Sequence, residues 1–523
     1  MRSDAGNRDS ACVGVIASVI IVNAFLFFLY RDQTFVHIDA IAHVNKARGL
    51  LDNFTPGLRQ LGTVWLPLPH LLMAPLAAID ALWRNGVAGS LVSVIGYIGT
   101  SVFLFRIGYR WTGSRVVGWI AFLLFALNPR LIYLFTTPMT EPLMVFCATG
   151  FLYYLMCWCD DQSWTAFGMA ALMAFAGTLT RYEGWAIAAA AVLMIPVLAR
   201  KQRIAASILF TGAAVTGPLV WMLFNMVYFD DPLMFAYGLG SAQDYANGKM
   251  YPTAGKLWES VAAYSIDVAY CLNPAVVWLA IAGFILGLIV SERWQWRGIL
   301  LLSSSGFVVF AFYVYNLYSN TVPLLLPGML KGDPQSVFNV RYGAVMAATL
   351  PLFAARFVFL VIRQVEHNRL FSVLLLAPLV LPDPIPLPSR EPVGEQFTRN
   401  LFYTEAIHNQ SFWMPPFVEI AQKLKADMET RQDQNSLILT NTRIIHVVVW
   451  AADIPIRRFV HEMNKGYWER TFSEIDPKIQ WVITEEGDQL WHAHGKFLQR
   501  NFLEVASAGT PTTGTVHLYR RPD

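Results

Sequence analysis

ACVGVIASVIIVNAFLFFLY, residues 11–30, carries no charged side chain, and RDQTFVHIDAIAHVNKAR follows it directly, residues 31–48. As a helix the first stretch is long enough to cross the ~30 Å hydrocarbon core of a bilayer. It is long for the apolar part of a secretory leader, and no clear small-residue cleavage site follows, so it reads as an uncleaved first span. The second stretch is crowded with acids, imidazoles and guanidiniums. That contrast recurs along the chain: apolar runs, with the ionisable groups collected in the connections between them.

Composition agrees. Of 523 residues, 55% are hydrophobic and only 14% are charged, well below the quarter that is usual in a soluble domain. The net charge of +3 argues against a nucleic-acid partner. The 17 tryptophans and 20 tyrosines suit the aromatic belts of membrane interfaces. Cys12, Cys147, Cys157, Cys159 and Cys271 all lie in or beside apolar runs, which points to neither a disulfide framework nor a zinc site.

Further apolar runs fall at 88–108, 115–133, 142–159, 165–180, 185–199, 204–228, 270–291, 298–317, 341–362 and 369–381. With the first they make about eleven expected membrane helices. The stretch 64–83 is apolar but contains Pro67, Pro69 and Pro75, and reads as a juxtamembrane or re-entrant helix. Arg106, Arg110 and Arg115 occupy one short turn; Arg200, Lys201 and Arg203 another; Arg293 with Arg297, and Arg363 with Arg369, two more. All four turns fall on one side, which the positive-inside rule makes cytoplasmic. The loops at 31–87, 134–141, 181–184, 229–269 and 318–340 and the tail then lie outside.

LPDPIPLPSREP, residues 381–392, reads as a semi-rigid linker. The expected organisation is a transmembrane domain over 1–381, the linker over 382–392 and an extracytoplasmic α/β domain over 393–523. In the tail, strands are expected at 436–440, 458–461, 479–484 and 515–519, alternating with helices near 413–430, 443–451, 464–474 and 488–498. It contains no glycine-rich phosphate loop, and the chain shows no internal repeat.

The polar residues of the outer connections are the candidate site. His37, Asp39, His43 and Arg48 follow the first span. On a helix Asp39 and His43 are one turn apart and share a face, an arrangement suited to handling a proton; a solvated helix start with Asp39 near the N-terminal dipole is an equal alternative. His37, Asp39 and His43 offer metal-ligating types at an unusual spacing, so a divalent metal is the less favoured reading and no cofactor is expected. Glu141 opens a span after T136-T-P-M-T, where a plain helix cap is the simpler reading. Arg181 and Glu183 sit in the very short turn L179-T-R-Y-E-G-W185, either as an interfacial pair or with the planar guanidinium fork aimed at a phosphate. Arg341 and Tyr342 close the fifth loop; a snorkelling arginine is the alternative there.

At these positions the chain resembles the GT-C superfamily, the polytopic glycosyltransferases that include protein O-mannosyltransferases and lipid A aminoarabinose transferases. Asp39, Ala47 and Arg48 fit the family's D-E-x-x-x-x-x-x-A-R pattern after the first helix. W65-L-P-L-P-H-L-L72, T137-P-M-T-E141, L179-T-R181, F229-D-D-P-L233 and R341-Y342 followed by Pro351 resemble its later segments in order. The family's second acid is replaced by Ala40. The resemblance covers roughly residues 12–362. It implies a GT-C-like polytopic α-helical membrane protein with a C-terminal soluble α/β domain, located in the bacterial cytoplasmic membrane. It also implies a polyprenyl-phosphate sugar donor, a glycan, lipid or protein acceptor among the membrane lipids, and inversion at the sugar. Asp39 would be the catalytic base, with Glu141 a further catalytic acid group. Arg181 and Arg341 would hold phosphate, with His37, His43, Arg48, Glu183 and Tyr342 around the substrate. The main rival is a transporter or lipid flippase, which often shows repeats and midplane charges.

Overall fold

A computed structural model describes residues 2–238, 241, 250–292, 295–329, 337–364, 401–509 and 514–523. The expected span at 369–381 and the linker at 382–392 lie outside the described residues, as does Arg293. The chain divides into two compact units. One comprises Met1–Arg31, Thr63–Pro69 and Ser90–Glu405; the other comprises Asp32–Gly62, His70–Gly89 and Ala406–Asp523. The second unit therefore includes much of the segment after the first span as well as the tail.

The first unit is helical. Among the described residues, five helices are long and apolar enough to cross a membrane: Gly6–Tyr30, Val87–Thr112, Glu141–Asp161, Arg203–Phe229 and Trp296–Tyr318. Three bent pairs raise the number to as many as eight: Arg115–Ala126 with Pro129–Phe135, Leu257–Leu272 with Pro274–Val290, and Tyr342–Ala348 with Leu350–Arg363. Trp164–Thr178 and Glu183–Leu198 are shorter apolar helices. The protein is thus a multi-pass membrane protein, and each described span expected from the sequence coincides with one of these elements. The central helix is Glu141–Asp161, whose apolar window is 83% buried against 22% for Arg203–Phe229. Its first residue, Glu141, is held in the interior of the unit for that reason.

Two of the three bends have a local cause. Asn128 and Asn273 each precede a proline at the first helical position, and each accepts backbone N–H groups in its side chain. An Asn–Pro step ends one helix, because the ring restricts the residue before it, and starts the next with the orphan donors satisfied. At Asn273, which has φ near +78°, the chain turns by 108°. The sequence reading placed 229–269 in a loop and began the span at 270. Instead a helix runs over Leu257–Leu272 and the next begins at Pro274, so the break falls inside what reads as one apolar edge. The 64–83 stretch forms the helices Pro67–Ala77 and Asp80–Arg84, the first too short to span.

The second unit carries a five-stranded sheet: β1 (Leu437–Leu439), β2 (Phe459–Val460), β3 (Ile479–Glu485), β4 (Leu503–Gly509) and β5 (Thr515–Arg520). The order is β2-β1-β3-β5-β4, parallel across β2, β1 and β3, with β5 antiparallel to both of its neighbours. β4 was missed in the sequence reading. Its sequence, LEVASAG, has small residues and no apolar alternation because it is an edge strand with mostly exposed side chains. Leu439, Val460, Ile479, Val482, Leu498 and Tyr519 form the core beneath the sheet. The Ile38–Gly49 helix belongs to this unit: Asn45 donates to the carbonyl of His446 at 3.1 Å and accepts from the Trp83 indole at 2.8 Å.

Candidate functional site

The first unit gathers Glu141, Arg181, Glu183, Arg341 and Tyr342 into one buried cluster. Glu141 has no exposed surface, and Glu183 and Arg341 have 2% and 5%. Glu141 Oε1 accepts from Arg181 Nη1 and from Arg341 Nε, both at 2.9 Å. Arg181 also donates from Nε to Glu183 at 2.6 Å, from Nη1 to Thr140 at 2.9 Å and from Nη2 to the Tyr313 hydroxyl at 3.4 Å. All three nitrogens of Arg181 are thus engaged by the protein. Tyr313 in turn donates to Glu183 at 3.0 Å.

Residues that the sequence reading did not single out complete the cluster. Glu405, fully buried, accepts from the backbone N–H groups of Asn339 and Val340 at 2.7 and 3.1 Å and from Arg341 Nη1 at 3.3 Å. Asp267, also fully buried, accepts from the N–H of Gly343 at 2.8 Å. Tyr264, Tyr313 and Tyr342 stack in series with centroids 4.8 and 5.0 Å apart, and both guanidiniums lie within 6 Å of the Tyr342 ring, at cation–π range. Asp267 carried one signal, an ionisable group within an apolar run, which a membrane segment rarely tolerates without a reason. Glu405 carried none, being far along the chain from the loop it holds.

Two guanidiniums face three carboxylates here: Glu141, Glu183 and Glu405. Such a cluster holds one more acid than base and is not a bare cationic patch. Beside it, however, Arg341 and Arg130 line a narrow opening with Leu131, Leu134, Ala344 and Phe402. Arg130 donates to the carbonyl of Ala269 at 3.2 Å. Two cations with apolar walls can take an anionic head that carries a hydrocarbon chain. Arg130 lies in the Pro129–Phe135 helix, which the Asn128–Pro129 step turns away from its predecessor.

The remaining candidates lie in the second unit. His37 is the N-cap of Ile38–Gly49, its Nδ1 accepting from the N–H of Asp39 at 3.1 Å. Asp39, half-buried, occupies the first turn, where the helix dipole favours a carboxylate. His43 Nδ1 meets His70 Nε2 at 3.0 Å, both rings buried; His70 went unassigned in the sequence. Arg48 is a clamp. It bonds Asp52 at 2.8 Å and Asp80 at 2.6 Å, and donates to the carbonyls of Ala77 and Ala78 at the end of Pro67–Ala77. Its position at that helix C-terminus suits a cation. Ala40, where the resemblance expects a second acid, is fully buried. Among the described residues no three His, Cys, Asp or Glu side chains form a group that could hold a metal ion.

No protein-family profile and no curated protein sequence matches the chain. Solved structures do. ArnT from Cupriavidus metallidurans bound to undecaprenyl phosphate superimposes with a TM-score of 0.59 at 9% identity, covering 96% of this chain and 97% of that one. ArnT from the same organism in the apo state gives 0.54 at 12% identity, covering 97% and 98%. An Archaeoglobus fulgidus oligosaccharyltransferase tethered to an acceptor peptide gives 0.48 at 11% identity, covering 98% and 74%. Over nearly its whole length, tail included, the chain shares the fold of the two ArnT structures.

Proposed function

We propose that this protein is a membrane glycosyltransferase that moves a sugar from a polyprenyl-phosphate donor to an acceptor hydroxyl. The reaction takes place at the outer face of the bacterial cytoplasmic membrane, with the tail on that same side. The observation that carries the reading is the opening lined by Arg130 and Arg341 with its apolar walls, in a chain whose fold is that of a protein crystallised with undecaprenyl phosphate. A phosphate would sit against the two guanidiniums, and the prenyl chain along the apolar side. Arg181 keeps Glu141 in place, and Glu141 and Glu405 hold Arg341 at the rim.

In the proposed step the acceptor oxygen attacks the anomeric carbon, the bond to the phosphate oxygen breaks, and the polyprenyl phosphate leaves with that electron pair. The sugar is inverted. Asp39, in the role that the resemblance implies, takes the acceptor's proton. The arginines stabilise the charge that develops on the leaving phosphate.

The test is binding of undecaprenyl phosphate to the protein in nanodiscs, followed by transfer from a panel of polyprenyl-phosphate sugars. Arg130→Ala and Arg341→Ala should each weaken lipid binding by about tenfold or more, as expected for a lost charge-assisted hydrogen bond. Wild-type affinity in both variants would remove the phosphate site. Binding without transfer from any donor would favour a flippase.

A further inference from the structure

The second unit holds a narrow opening, with room for a group about the size of a water, that the proposed reaction does not use. Its walls come from both ends of the chain: Lys46, Asn53 and Gln60 from the first segment, Thr442, His446 and His461 from the last. All belong to the same compact unit.

Hydrogen bonding fixes the state of His461, which is only 4% exposed. Asn53 Oδ1 accepts from the Asn464 side-chain amide at 3.0 Å and from the N–H of Thr55 at 3.4 Å. The nitrogen of Asn53 is therefore the atom that faces His461 Nε2, at 3.4 Å. It donates, so Nε2 accepts, and the proton of the neutral ring sits on Nδ1. Burial, and then the Lys46 ammonium, push the His461 pKa down to about 3, so the ring is neutral. Nδ1 is buried and has no hydrogen-bond partner, a rare condition for a polar atom in a folded interior.

Lys46 is among the residues that line the same opening, and its ammonium donates to the carbonyl of Leu61 at 3.2 Å. Burial pushes its pKa down to about 8, against the pull of Glu462, so it remains largely charged at neutral pH. Glu462 is engaged by the N–H of Thr442 at 2.7 Å, and burial pushes its pKa up to about 7, with Asp488 adding to that. No carboxylate is among the residues that line the opening. The walls thus offer a cation and an N–H donor that lacks an acceptor.

We infer that this opening is a second binding site, for the anionic oxygen of a small carboxylate- or phosphate-bearing ligand, held by Lys46 and by Nδ1–H of His461. When the anion arrives it takes over from Glu462 the compensation of Lys46. None of the residues that line it belongs to the arginine cluster.

The experiment uses the full-length protein in nanodiscs of uncharged lipid, labelled with an amine-reactive reagent and read by mass spectrometry at Lys46. Sodium phosphate or sodium acetate, compared with sodium chloride at equal ionic strength, should slow labelling of Lys46 several-fold and leave the exposed Lys201 unaffected. Protection by phosphate alone assigns a phosphate group, by acetate alone a carboxylate, and by both a general anionic-oxygen site. His461→Leu should raise the concentration needed by about tenfold, the effect of one lost bond to a charged group. Equal labelling in all three salts, or undiminished protection in His461→Leu, would overturn the proposal. If that variant does not fold, the ³¹P linewidth of inorganic phosphate decides: broadening by wild type that is absent with Lys46→Met supports the site, and no broadening by wild type removes it.

Discussion

Glu141 Oε1 and Arg341 Nε lie 2.9 Å apart with no exposed surface on the carboxylate, and the same oxygen also receives Arg181. One buried acid therefore takes hydrogen bonds from two guanidiniums supplied by distant parts of the chain, each of which also meets a second carboxylate, Glu183 for Arg181 and Glu405 for Arg341. Glu141→Gln takes the charge out of both bonds while leaving each guanidinium its second carboxylate, at a cost of about 1.5–3 kcal/mol for each charge-assisted bond lost. Glu141→Gln should accordingly lower the thermal midpoint steeply, whereas Glu141→Gln combined with Arg341→Met should recover part of the loss. A midpoint within a degree or two of wild type for the single variant would show that the arginines are compensated elsewhere.

Asp39→Asn keeps the shape of the side chain at the first turn of its helix and removes its basicity. Turnover from a labelled polyprenyl-phosphate sugar should fall by about 10²–10⁴-fold, the usual share of a general base, while undecaprenyl phosphate affinity and thermal stability stay close to wild type. Wild-type turnover in this variant would reduce Asp39 to a favourable charge at a helix start.

Gly343 is where the Tyr342–Ala348 segment touches the Leu257–Leu272 helix. A Cβ there would lie 2.7 Å from the Val268 Cα and 2.9 Å from the Asp267 carbonyl oxygen, backbone atoms that cannot step aside. Gly343→Ala should cost about 1–3 kcal/mol through overpacking and weaken lipid binding by displacing Arg341. Gly212→Ala is the matched control: nothing lies within 4 Å of its added carbon, and within a helix alanine is favoured by up to about 1 kcal/mol. Equal effects from the two substitutions would mean that the close approach at Gly343 does not position the arginine.

Glu462 supplies a pH signature. Its pKa is raised by burial from the ordinary 4.5 to about 7. Below pH 4.5 the group is protonated whether the protein is folded or not. Between about 4.5 and 7 only the folded state holds the proton, so this group's contribution declines as pH rises. Glu462→Gln abolishes that decline. Its stability relative to wild type should therefore climb from pH 4.5 to pH 7, by at most about 3 kcal/mol, and level off above. His461, with its lowered pKa, works in the opposite sense but is common to both proteins. A flat difference in thermal midpoint over this range would show that Glu462 titrates as an ordinary carboxylate.

The proposed sidedness has a direct check. A reporter active only in the cytoplasm, fused after Asp523, should stay silent, and one active only outside should report. Cytoplasmic activity would mean that one membrane crossing has been miscounted.

The membrane spans were legible because a continuous apolar run has one reading. Glu141, Arg181, Glu183, Arg341 and Tyr342 were legible as members of short connections between such runs. What escaped were partnerships across distance. Nothing near Glu405 announces that it will receive the backbone of Asn339 and Val340, and Arg130 looks like any interfacial arginine until Arg341 appears beside the same opening. The break at Asn273 was hidden because both of its flanks are apolar. β4 was hidden because an edge strand needs no alternation. That His37 also caps its helix was not legible, because a histidine is not among the usual capping residues.

The pairing of Asn45 with His446 joins residues 401 positions apart in sequence, and this fixes an order of events during synthesis. The segment after the first span emerges almost at once, but the surface it packs against is translated near the end. At about 5–20 residues per second, Asn45 waits on the order of 20–80 s for the carbonyl of His446. Through that interval the nascent segment must be shielded by the insertion machinery, a chaperone or the membrane surface. A ribosome that stalls after the last span leaves a chain that is fully threaded through the bilayer but lacks most of its second unit. Quality control can recognise such a chain by what it still exposes.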